Sequence, residues 1–424
     1  MIDSKPHVVY IGLRLQHLER LDFARYTFTL ILDRHQAAHL PPHVRALFAA
    51  VGVIDAADGL DFDGYERAAP SMISMVEQWS RQWDDPVAVI GIHEHTTLPA
   101  AMLRDRFKVP GVNTHTAELF RDKVLMKAAL AGSGLRIPRF LPVDSDLDVE
   151  RLQEFLGQFT GPVVLKPRRQ AGSFGVRIFQ DADELLAYAS VNAFEDGYEV
   201  EEFIDGTVCH FDGVVRDGEV RFLSPSQYAW NALDYRNEGA AVATLTFNDD
   251  AQVAAAGAFV ERVLKSLGLY DSTFHIEAFL LSTGEFVFLE AASRYGGAWV
   301  VPHISKVYGV DLTWESVLAC LNEPSTLREP RQITDTPHVG ASGWLIAPLP
   351  ATRRCEVRRI HGLDALPESV IAADVPNIGD VLNEHAAAYG GSGKFIFAAA
   401  TADEIRRDMQ LVIDRFRVDV SELV

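Results

Sequence analysis

Residues 272–291, Ser-Thr-Phe-His-Ile-Glu-Ala-Phe-Leu-Leu-Ser-Thr-Gly-Glu-Phe-Val-Phe-Leu-Glu-Ala, constrain the fold more than any other stretch of the chain. Both flanks are apolar and aromatic runs of strand type, and Thr283-Gly284 supplies a turn, so the segment reads as a β-hairpin. A loop of two residues (Thr283-Gly284) or four (Ser282 to Glu285) gives one register, in which paired residue numbers sum to 567 and Glu277 faces Glu290. Directly opposed side chains lie about 5 Å apart, and like charges there are destabilising. In strands this apolar, two carboxylates persist when they share a proton or when a cation lies between them. The bland alternative is an edge hairpin with two solvated acids. Two carboxylates around a hard cation are also how a nucleotide-phosphate site begins, and Arg294 with Gly296-Gly297 follows at once.

At 424 residues the chain needs two to four structural units, and 48% hydrophobic with 23% charged residues is an ordinary globular composition. The net charge of −20 argues against a nucleic-acid or anionic-membrane partner, yet a few local cations still admit a small anionic ligand. Only 8 of the 39 basic residues are lysines, so a lysine inside a motif is informative. Cys209, Cys320 and Cys355 are widely spaced and odd in number, which suits buried thiols in a reducing compartment. The first residues lack the cationic head and apolar stretch of a signal peptide, and no run of about 18 apolar residues occurs, so a cytoplasmic protein is expected.

Along the chain, the apolar runs 7–12 and 87–92, each containing Gly, suit buried parallel strands, and 97–107 has helical spacing. They predict a small doubly wound α/β domain over 1–114, closed by Pro110-Gly111. Thr116 is the expected N-cap of a helix over 117–131, on which Lys123 and Lys127 share a face. A strand over 161–166 leads through a polar turn into Ala171-Gly172-Ser173-Phe174-Gly175, and Asp181 opens a further helix. Residues 211–215 and 219–223 flank Asp217-Gly218 as a second hairpin, 229–242 reads as a loop, and 252–267 as an amphipathic helix. After 331 short strands and one last helix suggest a separate α+β domain.

A lysine ending an apolar strand before a loop of small residues suits a polyphosphate: Lys166 offers charge, and Gly172, Ser173 and Gly175 let backbone N–H groups approach oxygens. Neither the P-loop pattern nor the Gly-x-Gly-x-x-Gly fingerprint is present. The order is what carries weight: Asp122-Lys123, then Lys166 and its loop, then Glu201-Glu202-Phe203-Ile204, then the Glu277/Glu290 hairpin and Arg294. In that order and spacing, over nearly the whole chain, the sequence resembles the ATP-grasp superfamily, and within it the amino-acid (dipeptide) ligase branch.

The resemblance implies an α/β (α+β overall) ATP-grasp fold. Its parts are a pre-ATP-grasp domain (1–114), a small lobe (115–196), a large lobe (197–330) and a C-terminal α+β domain (331–424). It implies ATP and Mg²⁺ as cofactors, with Lys123 and Lys166 on the phosphates and the adenine edge, and Gly172, Ser173 and Gly175 in the loop over the triphosphate. Glu201, Glu202, Phe203 and Ile204 would form the hinge that reads adenine, and His210 would lie at or near the ribose. Glu277 and Glu290 would hold magnesium, and Arg294 would steady the transferring phosphoryl group. Many relatives carry Asn two residues after the second magnesium glutamate; this chain has Ala292, so water or Glu238 would supply that oxygen. His275 shares a strand face with Glu277, and either His275 or Glu238 is expected to take the proton from the incoming amine. Trp230, Tyr235, Arg236 and the residues from Arg294 to Trp299 are expected to meet substrate.

The expected activity joins a small-molecule carboxylate to an amine through an acyl phosphate, with a homodimer as a common assembly of similar ligases. Two alternatives stay open here: a biotin-carboxylase-like enzyme that activates bicarbonate, and an ATP-binding relative without turnover.

Overall fold

The computed structural model describes residues 5–145, 148–192, 196–230, 241–329, 331–332, 340–349, 354–382 and 391–423. Four parallel strands, β1 (His7–Ile11), β2 (Thr27–Leu32), β3 (Ala50–Val53) and β4 (Ala88–Ile90), form the first sheet in the order β3-β2-β1-β4. Every residue of β1 is buried, as a strand covered on both faces requires. The chain leaves β1 to one side for β2 and β3 and returns on the other side for β4. That reversal opens a crevice at the carboxyl ends of β1 and β4, where the helix Glu94–Phe107 starts.

The segment expected as one helix over 117–131 is two. Asn113 caps Thr114–Leu119 and Asp122 caps Lys123–Leu130, Asp122 accepting from the backbone N–H of Val124 and Leu125. Arg168 donates through Nε and Nη2 to both oxygens of Asp122, at 3.1 and 2.7 Å, which fixes the cap and breaks the helix there. The second sheet holds β5 (Phe140–Val143), β6 (Val163–Pro167), β7 (Arg177–Phe179) and β8 (Tyr198–Glu202), in the order β5-β8-β6-β7.

Residues 203–206 lead from β8 into the large sheet, built from β9 (Thr207–Arg216), β10 (Glu219–Tyr228), β11 (Val242–Thr246), β12 (Ser272–Leu280), β13 (Phe286–Ala292), β14 (Arg331–Gln332) and later strands. The expected pairing of Glu277 with Glu290 is present, flanked by Ile276 with Ala291 and His275 with Ala292. Toward the tip the register shifts by one, with Ala278 opposite Phe288. Leu281 N–H donates to the Glu285 carbonyl, closing a three-residue tip whose Gly284 has φ +85°. That tip replaces the two- or four-residue loop expected from the sequence, and a bulge at Leu289 absorbs the odd residue beside Glu290. The helix Asp250–Leu267 covers the opposite face, where the rings of Phe211, Phe259 and Phe286 pack 5.3–5.5 Å apart.

Three strands of the last section, β15 (Ala341–Ala347), β17 (Val370–Asp374) and β19 (Gly393–Ala399), continue the same sheet through a β11–β15 pairing. They do not form a sheet of their own, although their far face packs with the helix Ala402–Arg415 in a distinct core. β16 (Cys355–His361), β18 (Val381–Leu382) and β20 (Arg417–Glu422) make a small third layer. No helix among the described residues is long and apolar enough to cross a membrane.

The helix Val300–Tyr308 brings His303 onto β15, its Nε2 3.0 Å from the Ser342 hydroxyl. Burial, with His210 nearby, lowers the His303 pKa to about 3, and burial lowers that of His95 to about 4. Both rings are neutral when folded, whereas the unfolded rings take up protons below their ordinary value of 6.5. Their contribution is therefore intact above that value and is lost as pH falls through the window down to about 4. Urea unfolding at pH 7 and pH 5 should show the acid loss, and His303→Gln should make the slope shallower.

Candidate active site

A cavity of about 490 Å³ lies between the second sheet and the β12–β13 hairpin, joined by the 203–206 connection. Lys123, Lys166, Ser173, Glu201 to Gly206, Trp230 and Glu290 contribute to its walls. Lys166 is the penultimate residue of β6, with Nζ 2.7 Å from Glu201; burial opposes its charge, but Glu201 and Glu199 raise its pKa overall. Gly172, Ser173 and Gly175 take positive φ of 64°, 59° and 72°, left-handed backbone that suits a loop of small residues. The Glu202 carboxylate pairs with Arg139, and Phe203 and Ile204 also wall the cavity.

Glu290 lines the cavity and Glu277 lies opposite it across the hairpin, each with its own partner. Lys123, the first residue of its helix, places Nζ 3.0 Å from Glu290 and donates to the Gln170 carbonyl at 2.6 Å. Glu277 accepts from the Tyr228 hydroxyl at 3.2 Å and lies 3.5 Å from His275 Nε2. Burial pushes the Glu277 carboxyl up, but the His275 hydrogen bond and charge lower it overall. Their repulsion is thus met by flanking cations. Beyond them Arg294 donates from Nε to Glu94 at 2.5 Å and from Nη1 to the Tyr295 carbonyl at 2.6 Å. Glu94 also lies 3.6 Å from Arg121, and these cations hold it near a pKa of 2 against burial.

No protein-family model matches the chain. An L-arginine-specific L-amino acid ligase of Bacillus subtilis is 25% identical over 347 residues, 79% of this chain and 80% of that one. An alanine–anticapsin ligase of Bacillus subtilis is 25% identical over 250 residues, 53% of this chain and about half (52%) of that relative. The crystal structure of an L-amino acid ligase from Bacillus licheniformis superposes with a TM-score of 0.69 at 16% identity, covering 98% of this chain and 99% of that one. The fold is that of the ATP-grasp superfamily, and the sequence is similar to amino-acid ligases. The chain is an ATP-dependent, ADP-forming carbon–nitrogen ligase.

As an ATP-grasp ligase it has a donor set that fits its cofactors. Two opposed carboxylates offer the hard oxygens that Mg²⁺ takes, and the lysine-lined cavity beside them matches a nucleotide in size and charge. Two expectations need correction. His210 does not line the cavity; Val208 does, and His210 lies two residues on along β9, directly opposite Glu277, so a ribose contact does not follow. His275 does not fit a proton acceptor. Burial opposes its charge, but Asp212 and Glu277 lift its pKa to about 10, so it stands as a cation that donates. Glu238, Tyr235 and Arg236 lie outside the described residues.

Sequence reasoning passed over Asp212 and the role of Lys127. Lys127 has no exposed surface and reaches both Glu199, at 2.7 Å, and Glu201. With Lys166 it holds Glu201 near a pKa of 2 against burial, beneath the hinge. Lys127→Met leaves the two buried acids with one cation, and its expected cost of about 3–5 kcal/mol is read from the urea midpoint. The available signal was the helical spacing from Lys123, but its partners lie on β8.

Proposed function

We propose that this ATP-grasp ligase joins the carboxylate of an amino acid or related acid to an amine through an acyl phosphate. The observation that carries the reading is Glu290, paired across the hairpin with Glu277, lining a cavity that also holds Lys123, Lys166 and the 201–206 hinge. ATP would lie with its base against Phe203 and Ile204 and its phosphates toward Lys166, Lys123 and the N–H groups of Gly172 to Gly175. Mg²⁺, when bound, neutralises phosphate charge, and Glu277 and Glu290 would hold it. With Ala292 facing His275 across the hairpin, these two acids supply the protein oxygens at this end of the site.

In the first step a substrate carboxylate oxygen attacks the γ-phosphorus and the bond to the leaving ADP oxygen breaks. Arg294 stabilises charge on the transferring group. In the second step the amine nitrogen attacks the acyl carbon, inorganic phosphate leaves and the nitrogen loses a proton, which Glu238 would receive. The three unpaired thiols, Cys209, Cys320 and Cys355, agree with a cytoplasmic setting. Pairs of amino acids, and acid–amine mixtures, should be screened for ADP release with mass spectrometry of the products. One pair or a few should give ADP and a condensed product in equal amounts. ATP binding without ADP release from any pair would overturn the reading.

A further inference from the structure

We propose that Asp212 is a positioning residue of the reaction centre: its buried carboxylate orients His275, and through it the Glu277 carboxylate, and pins the loop that carries Arg294. The inference rests on the ligase reading for its consequence in turnover. Asp212 sits on β9 with no exposed surface and takes three donors from three separate segments. Oδ1 accepts from His275 Nδ1 at 2.9 Å and from the Gly296 backbone N–H at 3.0 Å, and Oδ2 accepts from His210 Nδ1 at 2.6 Å. One side chain thus ties β9 to β12 and to the turn immediately after Arg294.

Direction is the important consequence. A carboxylate that accepts from Nδ1–H of both rings turns the Nε2 end of each away from itself. For His275 that end faces Glu277 at 3.5 Å. For His210 it is buried and has no hydrogen-bond partner among the described residues. Ala292, the partner of His275 across the hairpin, places only a methyl group opposite it. Gly296 is required by the same geometry, since a Cβ there would lie 2.4 Å from Asp212 Oδ1 and 2.9 Å from His275 Nδ1. A buried carboxylate costs several kcal/mol unless its donors are in place, so a purely structural position would be filled as well by an apolar residue. The chain carboxylate–imidazole–carboxylate is instead the arrangement by which outer partners orient a metal ligand, and loss of such a partner lowers metal affinity or activity by about 10–100-fold.

The test separates metal placement from folding and from turnover. Asp212→Asn keeps the shape but opposes one imidazole N–H with an amide donor. ADP binding is measured by calorimetry with and without Mg²⁺ for the parent, Asp212→Asn, His275→Ala and the double variant. Expected is an Mg²⁺-dependent loss of about 10–100-fold in Asp212→Asn, unchanged metal-free binding, and no further loss when the change is added to His275→Ala. Gly296→Ala keeps every charge but presses a methyl group on Asp212, and it should reproduce the Mg²⁺ defect should Asp212→Asn fail to fold. The inference is overturned if neither variant changes the Mg²⁺ dependence, if metal-free binding falls in parallel, or if the loss persists without His275. These readouts need no acid or amine, so they stand apart from a failure of the ligase screen.

Discussion

Arg294→Met is expected to lower turnover by about 10³-fold or more, with ATP affinity close to the parental value. The guanidinium is held on one side by Glu94 and on the other by the Tyr295 carbonyl, so its direction is set before any ligand arrives. A cation fixed in that way stabilises charge in the transition state without reorganising, which is where its contribution exceeds that of ground-state binding. Arg294→Lys should recover little, because one ammonium cannot keep the Glu94 and Tyr295 bonds together and still point into the site. Stopped-time ADP assays and ATP titrations give the two quantities. Parental turnover in Arg294→Met would remove Arg294 from the chemistry.

Glu290→Gln should cut turnover by about 10²-fold or more and move the Mg²⁺ requirement to higher concentration. Glutamine preserves size and hairpin packing, so the change isolates the charge. It also leaves Lys123, 3.0 Å away, without its acidic partner, which should partly offset the lost metal affinity by drawing Lys123 toward nucleotide phosphate. A fully active variant with unchanged Mg²⁺ dependence would sink the assignment of Glu290 to the metal.

The glutamate pairing was legible because two apolar flanks and a Gly turn leave few registers, and a one-residue slip would reverse every side chain. The Leu289 bulge was not, because it answers a three-residue tip that sequence alone does not distinguish from its neighbours in length. The sequence points to Thr116 as the cap of one helix, whereas the break lies at Asp122, where Arg168, distant in sequence, holds the carboxylate. Asp212 follows the same rule. Polar residues at alternate positions, His210 with Asp212 and His275 with Glu277, mark one face of each strand. That β9 and β12 are neighbours in the sheet, which joins the four, is a long-range pairing with no local signature. The same holds for the strands after 340, whose alternation shows strands but not that they extend the sheet of the site.

The acyl phosphate is tested most directly with a substrate acid labelled with ¹⁸O in its carboxylate, followed by mass analysis of the released phosphate. Attack of that carboxylate on the γ-phosphorus and later displacement by the amine must carry one labelled oxygen into inorganic phosphate, and the amide keeps the other. One ¹⁸O per phosphate, formed in step with ADP and product, is the predicted result. Unlabelled phosphate, or label appearing in AMP, would contradict it.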